Sequence, residues 1–249
     1  MDGIFFSYSA YDIPMKKGIL SISLAVFFTF VSAVAVCVRA LNAPQAVFGE
    51  IDESMTIVLD AGHGGVDGGV VGRHSKVKES DLNLSIALRV KETLEEAGFL
   101  VVLTRKTQAG LYGLATKGFK RRDMERRRKI IEEKDPSLVV SIHQNFYPSH
   151  STRGGQVFYK KGDEQGAEFA FCMQKQLNAL YETQNVRHRT AMAGEFFILE
   201  CTPNPSLIVE CGFLSNAEDE RLLNEPSWQG QLAHSITAGV TAYLAQLSL

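Results

Sequence analysis

No C-x-x-C pair occurs in this chain, and its four cysteines, Cys37, Cys172, Cys201 and Cys211, are scattered. That spacing excludes a cysteine zinc site and a disulfide framework. Cys172, Cys201 and Cys211 are expected to be small buried residues, with a Cys201–Cys211 bridge as the alternative. Charge of one sign is lacking too. The net charge is -2, so nothing in the overall balance points to nucleic acid. There is no internal repeat and no low-complexity tract. What remains is ordinary globular material: 249 residues of which 45% are hydrophobic suffice for one domain with a full core.

Charge is also missing locally. Gly18 to Val38 contains no charged residue, follows Lys16 and Lys17, and is followed by Arg39. As a helix it would be roughly 32 Å long, enough to cross a bilayer. Its length favours an uncleaved anchor over a signal-peptide core of about 7–15 residues. Ala33-Val34-Ala35, however, has the small-x-small form of a cleavage site. Either way the two lysines keep the N-terminus inside and the remainder is exported. The organisation expected is a tail over 1–17, an anchor or signal segment over 18–38, a linker over 39–54 and a catalytic domain over 55–249. Met15 also reads as a natural start, with the first fourteen residues then an over-extension or a short cytoplasmic tail. N-terminal sequencing of the native protein separates these, and retention of Met1 would exclude the over-extension.

Past the linker, strands and helices alternate. Strands are predicted at Thr56–Asp60, Phe99–Thr104, Leu138–His143, Gln156–Tyr159, Phe196–Leu199 and Leu207–Cys211. Helices are predicted over Asp81–Ala97, capped by Ser80 and ended by Gly98, and over Arg121–Glu133, Glu164–Tyr181 and Trp228–Leu247. This alternation predicts an α/β fold: one three-layer domain whose mixed, mostly parallel sheet of about six strands is covered by helices.

The first strand runs into "GHGGVDGG", Gly62 to Gly69. A phosphate loop would end in Gly-Lys-Ser/Thr and lead directly into a helix, and this one does neither. A metal loop is the other reading. His63 follows strand one, His143 ends strand three, Glu79 opens a helix, and Glu210 ends the apolar run "SLIVE". Strand ends of one sheet share an edge, which is where such sheets hold ligands. Two histidines and one carboxylate are a known set for catalytic zinc, with the fourth position left for water. Singly, each histidine is more often a hydrogen-bonded structural residue, and Glu79 alone suits a helix N-terminus. Glu210 is harder to dismiss, because a carboxylate on a strand apolar on both faces is costly unless partnered. The residues alone leave the metal and structural readings open.

Four blocks in order, "IVLDAGHGGVDGG", "KESDLNLSIALRVKETLEEAGFLVVLTR", "SIHQN" and "SLIVECGFLSNAEDERLL", resemble the zinc-dependent N-acetylmuramoyl-L-alanine amidases of the Amidase_3 family. The resemblance spans Thr56 to Leu244. It implies one Zn2+ held by His63, Glu79 and His143, with Glu210 as catalytic acid/base. It further implies hydrolysis of the amide joining N-acetylmuramic acid to L-alanine in peptidoglycan, with Asn145, Arg153 and Gly154 as candidate substrate contacts. For Arg153-Gly154, plain turn chemistry is an equal reading. Arg127 falls where the family carries a helix arginine, which implies a structural role.

The family block usually continues Ser-Ile-His-Ala-Asn, whereas here Gln144 stands in place of alanine, a departure that bears on the pocket more than on the metal. His74 matches no ligand position and is expected to be exposed. The basic run Lys117 to Lys129 reads as a solvated helix face. No cell-wall-binding repeat and no long inserted helix over 160–195 accompany these blocks. Localisation is therefore expected from the N-terminal segment at the membrane or from an activating protein partner. This arrangement is similar to the CwlD-type spore-cortex amidases, which strip peptides so that muramic-δ-lactam can form. The alternatives are a membrane-tethered peptidoglycan-binding module without turnover, or a zinc peptidase cutting another wall bond.

Overall fold

A computed structural model describes residues 55–247. The expected tail, anchor or signal segment and linker, and Cys37 with them, lie outside the described residues. No helix among the described residues is long and apolar enough to cross a membrane.

Six strands form one sheet in the order β2-β1-β3-β6-β4-β5. They are β1 Thr56–Ala61, β2 Leu100–Leu103, β3 Leu138–Asn145, β4 Gln156–Lys160, β5 Met192–Gly194 and β6 Ser206–Phe213. β2, β1, β3 and β6 are mutually parallel. β4 runs antiparallel to β6, and β5 follows β4 in parallel. Among the described residues the helices are α1 Glu79–Glu96, α2 Phe119–Lys134, α3 Glu164–Glu182, α4 Ala217–Leu223 and α5 Pro226–Leu247.

Period-two alternation along the strands divides the core between two faces. Ile57, Leu59, Leu138, Val140, Ile142, Leu207 and Val209 pack under α1, α3 and α5 in the larger cluster. Val58, Val139 and Ile208 face the other way, against Ile131 of α2 and the turn at Ile198 and Leu199. Cys172, Cys201 and Cys211 are buried and free, so the Cys201–Cys211 bridge is not formed.

Three expectations need correction. Phe196–Leu199 is not a strand. Phe197–Glu200 is a short 3-10 turn that buries Ile198 and Leu199 and leaves Phe196 and Phe197 partly exposed. A four-residue apolar run fits either shape, and the adjacent Met192–Gly194 supplies the edge strand instead. Ser80 does not cap α1. The helix begins at Glu79, with Lys78 in the cap position making no side-chain bond. Loop carbonyls satisfy the first amides: Glu79 N–H donates to Val70 O at 2.9 Å and Ser80 N–H to Gly68 O at 3.1 Å. Finally, α4 was not expected, although Asn216 caps it by accepting from the Glu218 and Asp219 amides.

The structural role implied for Arg127 is visible in the lower layer. Arg127 is 1% exposed. Its guanidinium pairs with Asp60 on β1 and, at 2.6 Å, with Asp123 one turn back on α2. Asp60 also accepts from Thr104 and Ser141, each at 2.6 Å. Burial raises the Asp60 carboxyl, but Arg127 and these two hydroxyls outweigh it and hold the group at about 2, against an ordinary 3.8. Arg127→Met is therefore expected to cost about 3–5 kcal/mol in urea unfolding, since it strands two buried carboxylates. The depressed pKa sets the sign of the acid response. The Asp60 contribution is complete above about pH 4 and is lost as pH falls toward about 2. An Asp60→Asn chain should start less stable and lack that limb of the acid-unfolding profile.

Candidate metal centre

The chain leaves β1 at Ala61 under tight control. Arg127 donates to Ala61 O at 2.9 Å and to His63 O at 2.6 Å. Arg105, 2% exposed, donates to Ala61 O at 2.8 Å, Gly62 O at 3.0 Å and Ser80 O at 2.8 Å. Burial and the neighbouring Arg127 lower Arg105 to about 10, which leaves it charged at neutral pH. Two buried guanidiniums thus hold the backbone on both sides of the loop. The grip fixes His63 at φ 61, a left-handed conformation unusual outside glycine.

Two loop glycines clear the space for the side chains that follow. A Cβ at Gly62 would stand 2.2 Å from the His143 ring. One at Gly69 would stand 2.3 Å from Glu79 Oε2 and 2.8 Å from His63 Cδ2. No residue larger than glycine fits either position without moving a member of the cluster.

His63, Glu79 and His143 converge, with one ligand atom from each lying within 4.8 Å of the others. Glu79 Oε1 is 2.9 Å from His143 Nδ1 and 3.4 Å from His63 Nε2. Asp67 Oδ2 is 3.0 Å from His63 Nδ1, which orients the ring and leaves Nε2 facing the cluster. Burial opposes charge on His63, but hydrogen bonds and charges from Glu79 and Asp67 outweigh it and lift the imidazole to about 9. Glu79 is 3% exposed, and burial alone would raise it. The two histidines hold it well below the usual carboxylate range. A cation bound among the three would take the place of the proton that now balances Glu79. Two imidazoles and a carboxylate, with an aspartate behind one imidazole, make a donor set that fits zinc.

Glu210 stands beside this cluster as the Cα partner of His143 across β3 and β6. Its Oε2 is buried without a hydrogen-bond partner among the described residues. Burial is the main cause that pushes its pKa up to about 7, with the Glu79 charge adding to it against the two histidines. A carboxyl near neutrality with an open lone pair is what proton transfer at pH 7 requires.

Residues 57–242 match the Amidase_3 family, N-acetylmuramoyl-L-alanine amidase. The chain belongs to this family. Over 193 residues it is 35% identical to the germination-specific N-acetylmuramoyl-L-alanine amidase of Bacillus subtilis (strain 168), covering 76% of this chain and 80% of that protein. Among solved structures it is similar to the CwlD amidase from Clostridioides difficile in complex with the GerS lipoprotein, at TM-score 0.73 and 32% identity, over 77% of this chain and 99% of that one. The catalytic domain of the amidase CwlV from Bacillus (Paenibacillus) polymyxa var. colistinus follows at TM-score 0.66 and 31% identity, covering 77% and 98%. The activity is hydrolysis of the amide between N-acetylmuramic acid and L-alanine in peptidoglycan.

The remaining sequence candidates sit at the same edge of the amidase sheet. Asn145 ends β3 opposite Phe213, and its Oδ1 accepts from the Phe146 amide at 2.7 Å. Arg153 Nε donates to the buried Asp219 at 3.0 Å. Gly154, at φ 95, gives its amide to the same carboxylate, and a Cβ there would meet Val186 at 2.9 Å. These bonds give Arg153 and Gly154 a structural task at the entry to β4. His74 is exposed, as expected.

Sequence reasoning passed over three supports. Asp67 lies four residues after His63 in the quoted loop. Arg105 follows β2 at the end of a quoted block. Asn83 lies one helical turn after Glu79 on α1, a spacing that puts both on one face. Asn83 is fully buried and donates to Glu79 Oε1 at 3.3 Å and to Gly62 O at 3.1 Å. Gln144, the departure from the family block, donates to Asn83 Oδ1 at 3.1 Å, while its own amide reaches Glu79 Oε1 at 3.2 Å. Asn83→Ala is expected to weaken binding of added zinc by about 10–100-fold in a chelator-competition titration. Unchanged affinity would show that Asn83 only packs the helix.

Proposed function

We propose that this amidase uses one zinc ion held by His63, Glu79 and His143, and that Glu210 is its catalytic acid/base. The observation that carries the reading is the buried, unpartnered Oε2 of Glu210 beside two imidazoles and a buried carboxylate. Zinc bound there would polarise the scissile carbonyl and acidify a water at neutral pH. Glu210 then takes the proton of the attacking water and delivers it to the departing L-alanine amine. Asp67 keeps the His63 tautomer fixed, and the Arg105–Arg127 grip keeps its backbone from yielding. Asn145, Arg153 and Gly154 border the bound glycopeptide.

The setting proposed is extracytoplasmic. Amino-terminal residues 18–38 would act as membrane anchor or export signal and 39–54 as linker, with the catalytic domain over 55–249 at the wall. A place in spore-cortex maturation is supported by the likeness to a germination-specific amidase. The relative solved with the GerS lipoprotein supports an additional protein partner.

Glu210→Gln should retain a full zinc equivalent by elemental analysis and lose about 10²–10⁴-fold in turnover. His63→Ala should instead lose the metal. Full turnover in Glu210→Gln would sink the acid/base assignment. Mass spectrometry of products from vegetative and spore peptidoglycan reads the bond cut. Products cleaved anywhere but at the muramoyl–alanine amide would favour a peptidase, and no products at all would favour a binding module.

A further inference from the structure

The reversal of the last two strands has a consequence for the ligand edge. β4 is antiparallel to β6, so it starts where β6 ends, with Gln156 opposite Glu210. β5 runs with β4, so the segment entering β5 arrives at the same edge. That segment, Asn185 to Arg189, and the Ser151–Arg153 segment entering β4 line a cleft of about 440 Å³. Arg153, Arg187 and Arg189 make its wall strongly cationic.

Arg187 has no neutralising partner among the described residues, and Arg189 has only a share of the Asp219 charge. Asp219 is used by Arg153 and by the Gly154 and Phe213 amides. His188 stands 3.5 Å from Glu182. Arg187 is exposed and forms no hydrogen bond or ion pair among the described residues, and Arg189 forms no ion pair there. The segment is nonetheless fixed. Asn178 brackets the Arg189 backbone, donating to its carbonyl at 2.8 Å and accepting from its amide at 3.0 Å. The Arg189 side chain donates to Arg153 O at 2.9 Å and to Gln156 Oε1 at 3.3 Å. Its guanidinium lies 4.8 Å over the Phe213 ring. A guanidinium held this firmly loses little freedom on binding an anion.

We propose that Arg187 and Arg189 form a subsite for a carboxylate of the leaving peptide. The proposal rests on the amidase reading, in which Glu210 protonates the departing amine. The peptide half of the substrate must then lie on the Glu210 side of the cluster. Beyond β6 on that side comes β4, carrying Arg189 on Gln156. Two strand spacings are about 10 Å, and an extended peptide covers about 7 Å in two residues. A carboxylate on the residue following the L-alanine would therefore fall at Arg187 and Arg189. Two guanidiniums suit such a planar anion.

The test compares two synthetic peptides that begin with L-alanine and carry an acidic second residue, one with that residue's carboxylate free and one with it amidated. Their binding to the full chain is measured by calorimetry at low salt. The free acid should bind about tenfold more tightly, as expected for a charge-assisted pair. Arg187→Glu, at an exposed position where folding is not at risk, should abolish that preference, and Arg189→Lys should keep part of it. Equal binding of the two peptides, no binding of either, or an undiminished preference in Arg187→Glu would overturn the subsite. Hydrolysis of a muramoyl peptide by the same protein is followed separately. Turnover without carboxylate preference refutes the subsite alone, while carboxylate-selective binding without turnover refutes the amidase reading alone.

Discussion

The grip of Arg127 on Asp60, and through it on the turn after β1, is the interaction on which the rest depends. The Ala61, Gly62 and His63 carbonyls leave the sheet ladder just where the chain must bend. Buried carbonyls need donors, and a guanidinium offers five. Arg127 supplies Ala61 and His63, while Arg105 supplies Ala61, Gly62 and the first turn of α1 at Ser80. The two ends of the His63-to-Glu79 loop are thereby tied to one buried cationic centre. A buried ion pair of this kind contributes little net stability against an apolar replacement of the same shape. What it does here is hold a left-handed His63, which the backbone would otherwise leave.

That constraint explains how a glycine-rich loop can be rigid. Gly62 and Gly69 are required by the volume of the His143, His63 and Glu79 side chains. Hydrogen bonds from Asn83, Gln144 N–H and Val70 N–H then converge on the Glu79 carboxylate. Val70 reaches Glu79 from the loop and Gln144 from β3, while Asn83 reaches it from within α1 and ties it to Gly62 O. Glu210 differs in kind from the three potential ligands. It is half-buried, with one oxygen buried and unpartnered, which suits a group that exchanges a proton rather than one that holds a position.

β1, β3 and β6 were legible because they are apolar on both faces, and the candidate cluster because parallel strand ends collect residues distant in sequence. His63, His143 and Glu210 each sit at such an end. Short elements were not legible. A four-residue apolar run such as Phe196–Leu199 is compatible with a strand or a turn, and only packing against α2 and β6 decides. The α1 start was misplaced because its cap is made by loop carbonyls, a tertiary contact that Ser80 could not reveal. Asp67, Asn83 and Arg105 escaped for a related reason. Each is an ordinary polar residue whose importance lies in the partner that folding brings to it.

The antiparallel turn of β4 is what separates this sheet edge from a simple row of ligands. With four parallel strands alone, the C-terminal edge would end at Glu210 and the rim beyond it would be open. Reversing β4 and β5 folds their entry segments back to that edge and adds a wall there. Asp219 stabilises the wall by accepting from Arg153, Gly154 and Phe213 together, which joins α4, β4 and β6. Because Asp219 is shared in that task, Arg187 faces the cleft without a partner and Arg189 with only part of the Asp219 charge. The same topology that positions Glu210 therefore places fixed positive charge one strand beyond it.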